Sequence, residues 1–198
     1  MRSGEVNFDQ ATALIIVDVQ NDFANPEGNL HVPGGEDVIP EINALIDQAR
    51  RREAFIVYTQ DWHPHNTPHF QKNGGEWPVH CVKETWGAEL HPELVVAGPI
   101  VKKGTGGEDG YSGFMVRDPE SGEETPTQLG PMLKERGIER VVIVGLAQDV
   151  CVQDTALDAQ RLGFRTIVVA DATRPVNAKP GDGARAVAKL VQAGAEVH

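Results

Sequence analysis

The sequence predicts an α/β fold built on a mostly parallel sheet with helices on both faces. Short apolar runs rich in Val and Ile alternate along the chain with stretches of helical spacing, the rhythm of βαβ units. Several of these runs end in a polar residue, or lead through a tight turn to one: Asp18, Lys103 and Cys151. In a parallel sheet such residues emerge at the carboxyl edge, where open α/β folds bind their ligands.

Taken in order, Ala13 to Val19 reads as a buried strand, apolar and β-branched. Val38 to Arg52 places Ile39, Ile42, Leu45, Ile46 and Ala49 at helical spacing with charge opposite. Ala54 to Thr59 is a second strand and Ile100 to Lys102 a short third. Gln128 to Arg136 is a helix closed by Gly137, a natural left-handed cap. Arg140 to Val144 is a fourth strand, followed by the turn Gly145 to Asp149 and a helix from Val150. Thr166 to Ala170 is a fifth strand, and Gly183 to Ala193 a helix feeding a last short strand near Glu196.

Two segments break the rhythm. Gln60 to Pro99 lacks periodicity yet holds five of the seven histidines and all three tryptophans, too aromatic for disorder and long enough to be functional. Gly104 to Thr127 is rich in Gly, Glu and Asp and reads as a mobile surface excursion around Tyr111 to Phe114. No repeat or linker divides the chain, so residues 1–198 read as one domain.

The formal net charge of −11 argues against a nucleic-acid partner and against docking on an anionic membrane. No apolar run reaches the roughly 18 residues of a membrane span, and Met1 to Phe8 lacks the apolar core of a signal peptide. Two distant cysteines, Cys81 and Cys151, make no disulfide framework. A cytoplasmic protein with a small-molecule substrate is the expectation, and a homo-oligomer remains open.

Cys151 sits where an α/β enzyme places a nucleophile, and at the start of a helix the dipole is expected to draw its pKa down. Asp18 and Lys103 stand at other strand ends, as proton acceptor and ammonium; Lys102 is the alternative to Lys103. Asp61, His63, His69 and His80 form a borderline N/O set suited to Zn, Mn or Fe. Phe23, Trp77 and Tyr111 lie in loops on the same edge and are candidates to sandwich a flat aromatic substrate. His31, His65, His91 and His198 read as ordinary hydrogen-bonding histidines, and Cys81 as a small buried residue.

These motifs together resemble the isochorismatase-like cysteine hydrolases, and among them the nicotinamidases (pyrazinamidases). The match is carried by Asp18-Val-Gln-Asn-Asp-Phe23, Thr59-Gln-Asp-Trp-His63, His69-Phe70, Trp77-Pro-Val-His-Cys81, Lys103-Gly104 with Tyr111-Ser-Gly-Phe114, and Gly145-Leu-Ala-Gln-Asp-Val-Cys151. It implies a three-layer α/β/α fold with a six-stranded sheet, and hydrolysis of nicotinamide to nicotinate and ammonia in NAD salvage through a Cys151 thioester. It selects Lys103 over Lys102. It further implies one divalent metal ion, zinc first and Mn or Fe as alternatives, on Asp61, His63 and His80, with His69 an extra ligand found in some members. The backbone N–H groups of Ala147 and Cys151 would form the oxyanion hole, after a cis peptide at Leu146–Ala147. Glu84, Gln148 and Val150 depart from the usual pattern, and Asp118 to Thr125 is an insertion with the position of a lid or subunit contact. The competing readings are a metal-free relative acting on a carbamoyl compound or vinyl ether, and a non-catalytic binding module; the histidine set counts against the former, the intact Asp, Lys and Cys set against the latter.

Overall fold

The computed structural model describes residues 6–198; Met1–Glu5, part of the segment read for a targeting signal, lie outside them. In chain order the elements are β1 (Thr12–Val17), α1 (Asn21–Ala24), α2 (Ile39–Arg51), β2 (Phe55–Asp61), β3 (Ile100–Lys103), β4 (Met115–Arg117), β5 (Glu124–Pro126), α3 (Leu129–Glu135), β6 (Arg140–Leu146), α4 (Gln153–Arg161), β7 (Arg165–Arg174), α5 (Asp182–Gln192) and β8 (Glu196–Val197). The main sheet has six strands in the order β3-β2-β1-β6-β7-β8, and every pair in it is parallel. None of the described helices is long and apolar enough to cross a membrane.

Three layers follow from side-chain alternation in the central strands. Leu14 and Ile16 of β1, with Val142 and Val144 of β6, pack against the α2 stripe Ile39, Ile42, Leu45, Ile46 and Ala49. Ala13, Ile15 and Val17, with Val141 and Ile143, face the other way onto Leu129 and Leu133 of α3, Ala156 and Ala159 of α4, and Leu190 of α5. A strand covered on both faces reads as a continuous apolar run because both sets of alternating side chains are buried. Each such aliphatic side chain stabilises the fold by roughly 1.5–3 kcal/mol.

Two expectations need correction. Gly104 to Thr127 is more than a surface excursion: it buries Phe114 in the core and then forms the antiparallel hairpin β4–β5. Strands of three residues, β4 half-buried and β5 exposed, leave no periodicity to read. The expected helix from Val150 instead begins as a π-helical turn, Gln148–Val152, before α4, so Cys151 does not lie in the first turn of an α-helix. In the sheet β2 lies between β1 and β3 and brings Asp61 between Asp18 and Lys103.

Candidate active site and metal centre

The parallel sheet presents four strand ends on one edge. Registers pair Asp61 with Lys103 across β2 and β3, and Val17 with Gly145 across β1 and β6. Asp18 follows β1 in a left-handed conformation (φ 48°), tolerated best by short polar side chains. Alternation along β3 buries Lys103 and exposes Lys102, whose ammonium lies 3.4 Å over the Trp62 ring instead. That distinguishes the two lysines physically.

The buried cluster is compact. Asp18 Oδ1 accepts a hydrogen bond from the Thr59 hydroxyl at 2.7 Å, and Oδ2 lies 2.7 Å from Lys103 Nζ. The same ammonium donates to Asp61 Oδ1 and to the Gly110 carbonyl, and stands 3.9 Å from Cys151 Sγ. The thiol and an oxygen of each carboxylate all lie within 4.8 Å of one another. One ammonium therefore serves two carboxylates.

Electrostatics assigns the protons. Burial disfavours the Asp18 carboxylate; Lys103 opposes this, Asp61 reinforces it, and the pKa rises to about 6. Burial acts the same way on Asp61, but Lys103, His63 and His80 outweigh it and hold that carboxyl below the usual range. Burial also works against the Lys103 charge, yet Asp18 and Asp61 push its pKa well above the ordinary lysine value. The Cys151 thiol is driven well above its ordinary value by burial, with Lys103 opposing and both carboxylates adding. This reverses the expected depression by a helix dipole. The resting pair is a neutral thiol beside a carboxylate that is ionised above about pH 6.

Beside this cluster three imidazoles meet. His63, His69 and His80 are buried and can each offer one ring nitrogen within 4.8 Å of the others. Asp61 Oδ2 lies 3.7 Å from His63 Nε2 and 3.8 Å from His80 Nε2, a gap that an ion with bonds of about 2.0–2.2 Å bridges. Two of the rings are oriented by their far nitrogen: His80 Nδ1 contacts the Pro78 carbonyl at 2.8 Å and His69 Nδ1 the Asp109 carboxylate at 2.6 Å. His63 is fully buried, and among the described residues neither of its ring nitrogens has a hydrogen-bond partner. An unpaired buried imidazole is costly, and a cation is the natural partner. Burial also lowers the His80 pKa to about 3, more than Asp61 raises it, keeping a neutral ligand lone pair. The donor set thus fits a divalent ion. Gly104 makes room for the His63 ring: with φ 71°, an added Cβ would sit 2.6 Å from His63 Cε1.

Above both clusters opens a pocket of about 400 Å³ including its mouth, lined among others by Phe23, Trp77, Tyr111, Ala147, Val150 and Cys151. All three aromatics singled out in the sequence line it, and Trp77 Nε1–H donates to the Tyr111 hydroxyl at 3.0 Å. Ala147 follows the cis peptide Leu146–Ala147. Val150 makes its wall apolar, whereas Gln148 turns away and donates to Thr173 Oγ1 at 3.0 Å. Glu84 is exposed and left-handed at φ 64°, a conformation glycine adopts without strain.

Sequence reasoning missed Leu30, Val32 and Val176, which complete the pocket. It also missed Gln20 as a clamp: its side-chain amide accepts from the Asp61 N–H and donates to the Asp61 and Ala88 carbonyls, each at 2.8 Å. The motif at Asp18 was a signal for Gln20; nothing local marked Val176. His31 pairs with Glu36 at 3.1 Å, and the side chains of His91 and His198 hydrogen-bond within two residues of themselves, to the Glu93 N–H and the Glu196 carboxylate. Cys81 is buried, its N–H donating to Asp22 Oδ2 at 2.7 Å.

Thiol, carboxylate and ammonium beneath a pocket are the parts that nucleophilic hydrolysis requires. An isochorismatase domain matches residues 12–198, and the chain belongs to that family. The nicotinamidase of Acinetobacter baylyi is 43% identical over 83% of this chain and 82% of its own length. Among solved structures, the pyrazinamidase of Pyrococcus horikoshii in complex with zinc superposes with a TM-score of 0.84 at 39% identity, covering 95% of this chain and 98% of that one. PnC1 from L. infantum in complex with nicotinate gives 0.88 at 37%, over 98% and 95%. The chain is a hydrolase of this family.

Proposed function

We propose that residues 1–198 act as a single domain that hydrolyses nicotinamide, and pyrazinamide as a close analogue, to the acid and ammonia through a Cys151 thioester. The observation that carries this reading is the buried Asp18, Lys103 and Cys151 cluster beside a fit set of metal ligands, at the floor of an aromatic-lined pocket. The similarity to nicotinamidases supports the same substrate. A cytoplasmic role in NAD salvage is part of this reading, since a reducing compartment keeps a nucleophilic thiol available.

In this mechanism Phe23, Trp77 and Tyr111 hold the pyridine ring and exclude water. Asp61, His63, His80 and His69 would hold a divalent ion, zinc on this reading, which would supply Lewis-acid chemistry to the pocket when bound. Asp18 takes the thiol proton as sulfur attacks the carboxamide carbon. Lys103 stabilises the developing thiolate and keeps Asp18 in place. The oxyanion is held by the backbone N–H groups of Ala147 and Cys151, each worth about 3 kcal/mol. Collapse of the adduct breaks the C–N bond as Asp18 returns the proton, releasing ammonia. Asp18 then deprotonates water for attack on the thioester, and the thiol leaves with that proton.

The deciding experiment measures ammonia release from nicotinamide by zinc-loaded protein, chelated protein and Cys151→Ala. Loss of release on chelation and in Cys151→Ala is expected. Full activity in Cys151→Ala rules out the thioester, and full activity after verified metal removal rules out the metal.

A further inference from the structure

We infer that Asp109 is the positioning residue that makes His69 a metal ligand, and that the β4–β5 hairpin serves as its support. The inference rests on the metal reading above. His69 enters the site from a loop without regular structure, and its ring stacks on His63 with centroids 4.6 Å apart. Stacking alone leaves the ring free to present either nitrogen. The Asp109 carboxylate removes that freedom: its Oδ1 contacts His69 Nδ1 at 2.6 Å, so Nδ1 carries the proton and Nε2 is left with its lone pair. A carboxylate hydrogen-bonded to the far nitrogen of a ligating imidazole fixes its tautomer and raises its basicity.

Asp109 is itself held on two sides. Its N–H donates to the Arg117 carbonyl at 2.7 Å and its carbonyl accepts the Arg117 N–H at 3.0 Å, which fastens it to β4. On the other side the loops are stitched together. Thr67 Oγ1 donates to the Gly107 carbonyl at 2.6 Å and accepts the His69 N–H at 3.1 Å. Two residues beyond Asp109, Tyr111 accepts from Trp77. The acidic, glycine-rich segment thus acts as a splint between the hairpin and the metal loop. In consequence the site has four protein ligands, Asp61, His63, His69 and His80.

The test is zinc affinity, measured by competition with a chromophoric chelator, for His69→Ala, Asp109→Ala, the double variant and His80→Ala, with visible absorption of the cobalt(II) forms as a second readout. Asp109→Ala is expected to weaken zinc binding roughly 10- to 100-fold and to alter the cobalt spectrum. If Asp109 acts through His69, the double variant binds no more weakly than His69→Ala alone. Asp109→Asn, with the same shape and a weaker acceptor, is expected to fall between wild type and Asp109→Ala, and serves where the alanine variant does not fold. Wild-type affinity and spectrum in the folded Asp109 variants, or additive losses in the double variant, overturn the inference. Unchanged affinity in His80→Ala overturns the metal reading and this inference with it, whereas a loss there with none in the Asp109 variants overturns this inference alone.

Discussion

Lowering the pH should switch the enzyme off through Asp18, at a pH no unperturbed aspartate would allow. The perturbation is protonation of one carboxylate in a fully buried site, where burial outweighs the opposing Lys103 charge and raises the pKa from 3.8 to about 6. Asp18 must be ionised to accept the thiol proton, so activity is present above that pKa and lost as pH falls through it. With a pKa of about 6, roughly a tenth of molecules hold the carboxylate at pH 5 and about a hundredth at pH 4. At the unperturbed value of 3.8 nearly all would still hold it at pH 5. The difference at pH 5 is thus about tenfold in kcat/KM. The assay is kcat/KM for ammonia release from nicotinamide across pH 4–8 with bound zinc measured at each point. The metal measurement separates protonation of Asp18 from release of the ion. A profile flat down to pH 4.5 with metal retained would refute the assignment of Asp18 as the base.

Two further outcomes are expected. Gln20→Leu removes the amide that pins Asp61 and leaves buried backbone groups unpaired, at about 1–3 kcal/mol each; urea unfolding should show a loss of about 3 kcal/mol or more, and a loss below about 1 kcal/mol means the clamp is redundant. Gly104→Ala forces a Cβ to within 2.6 Å of the His63 ring at a left-handed φ, so the purified variant should carry little zinc by elemental analysis; a full complement of metal would show that His63 can shift without penalty.

Much of the scaffold was legible because buried parallel strands write themselves as apolar runs. Thr12–Val17 and Arg140–Leu146 are unmistakable, and the polar residues that follow mark the functional edge. What the sequence did not reveal depended on which strand lies beside which. Asp61 reads as a metal ligand from its spacing to His63, but its second role, sharing the Lys103 ammonium with Asp18, exists only because β2 lies between β1 and β3. The state of the Cys151 thiol was misjudged because a local dipole argument sees neither the burial that the folded sheet imposes nor the carboxylates that distant strands add. The hairpin and Asp109 escaped notice because the hairpin strands are only three residues long and the Asp109 contact is with His69, forty residues away in the chain.

The order of the sheet also bears on how the molecule comes to be active. Asp18, Lys103 and Cys151 are delivered by segments near the beginning, middle and later part of the chain, and they meet only once β3, β2, β1 and β6 have docked in register. Non-local pairing of this kind is the slow part of folding. No fragment that lacks β1, β2, β3 or β6 can therefore hold a working site, and turnover becomes a count of molecules in which those four strands are in place. Fraying of β8 at the far edge leaves that count untouched, so stability measured at the chain end and activity measured at the centre should decay at different rates on heating.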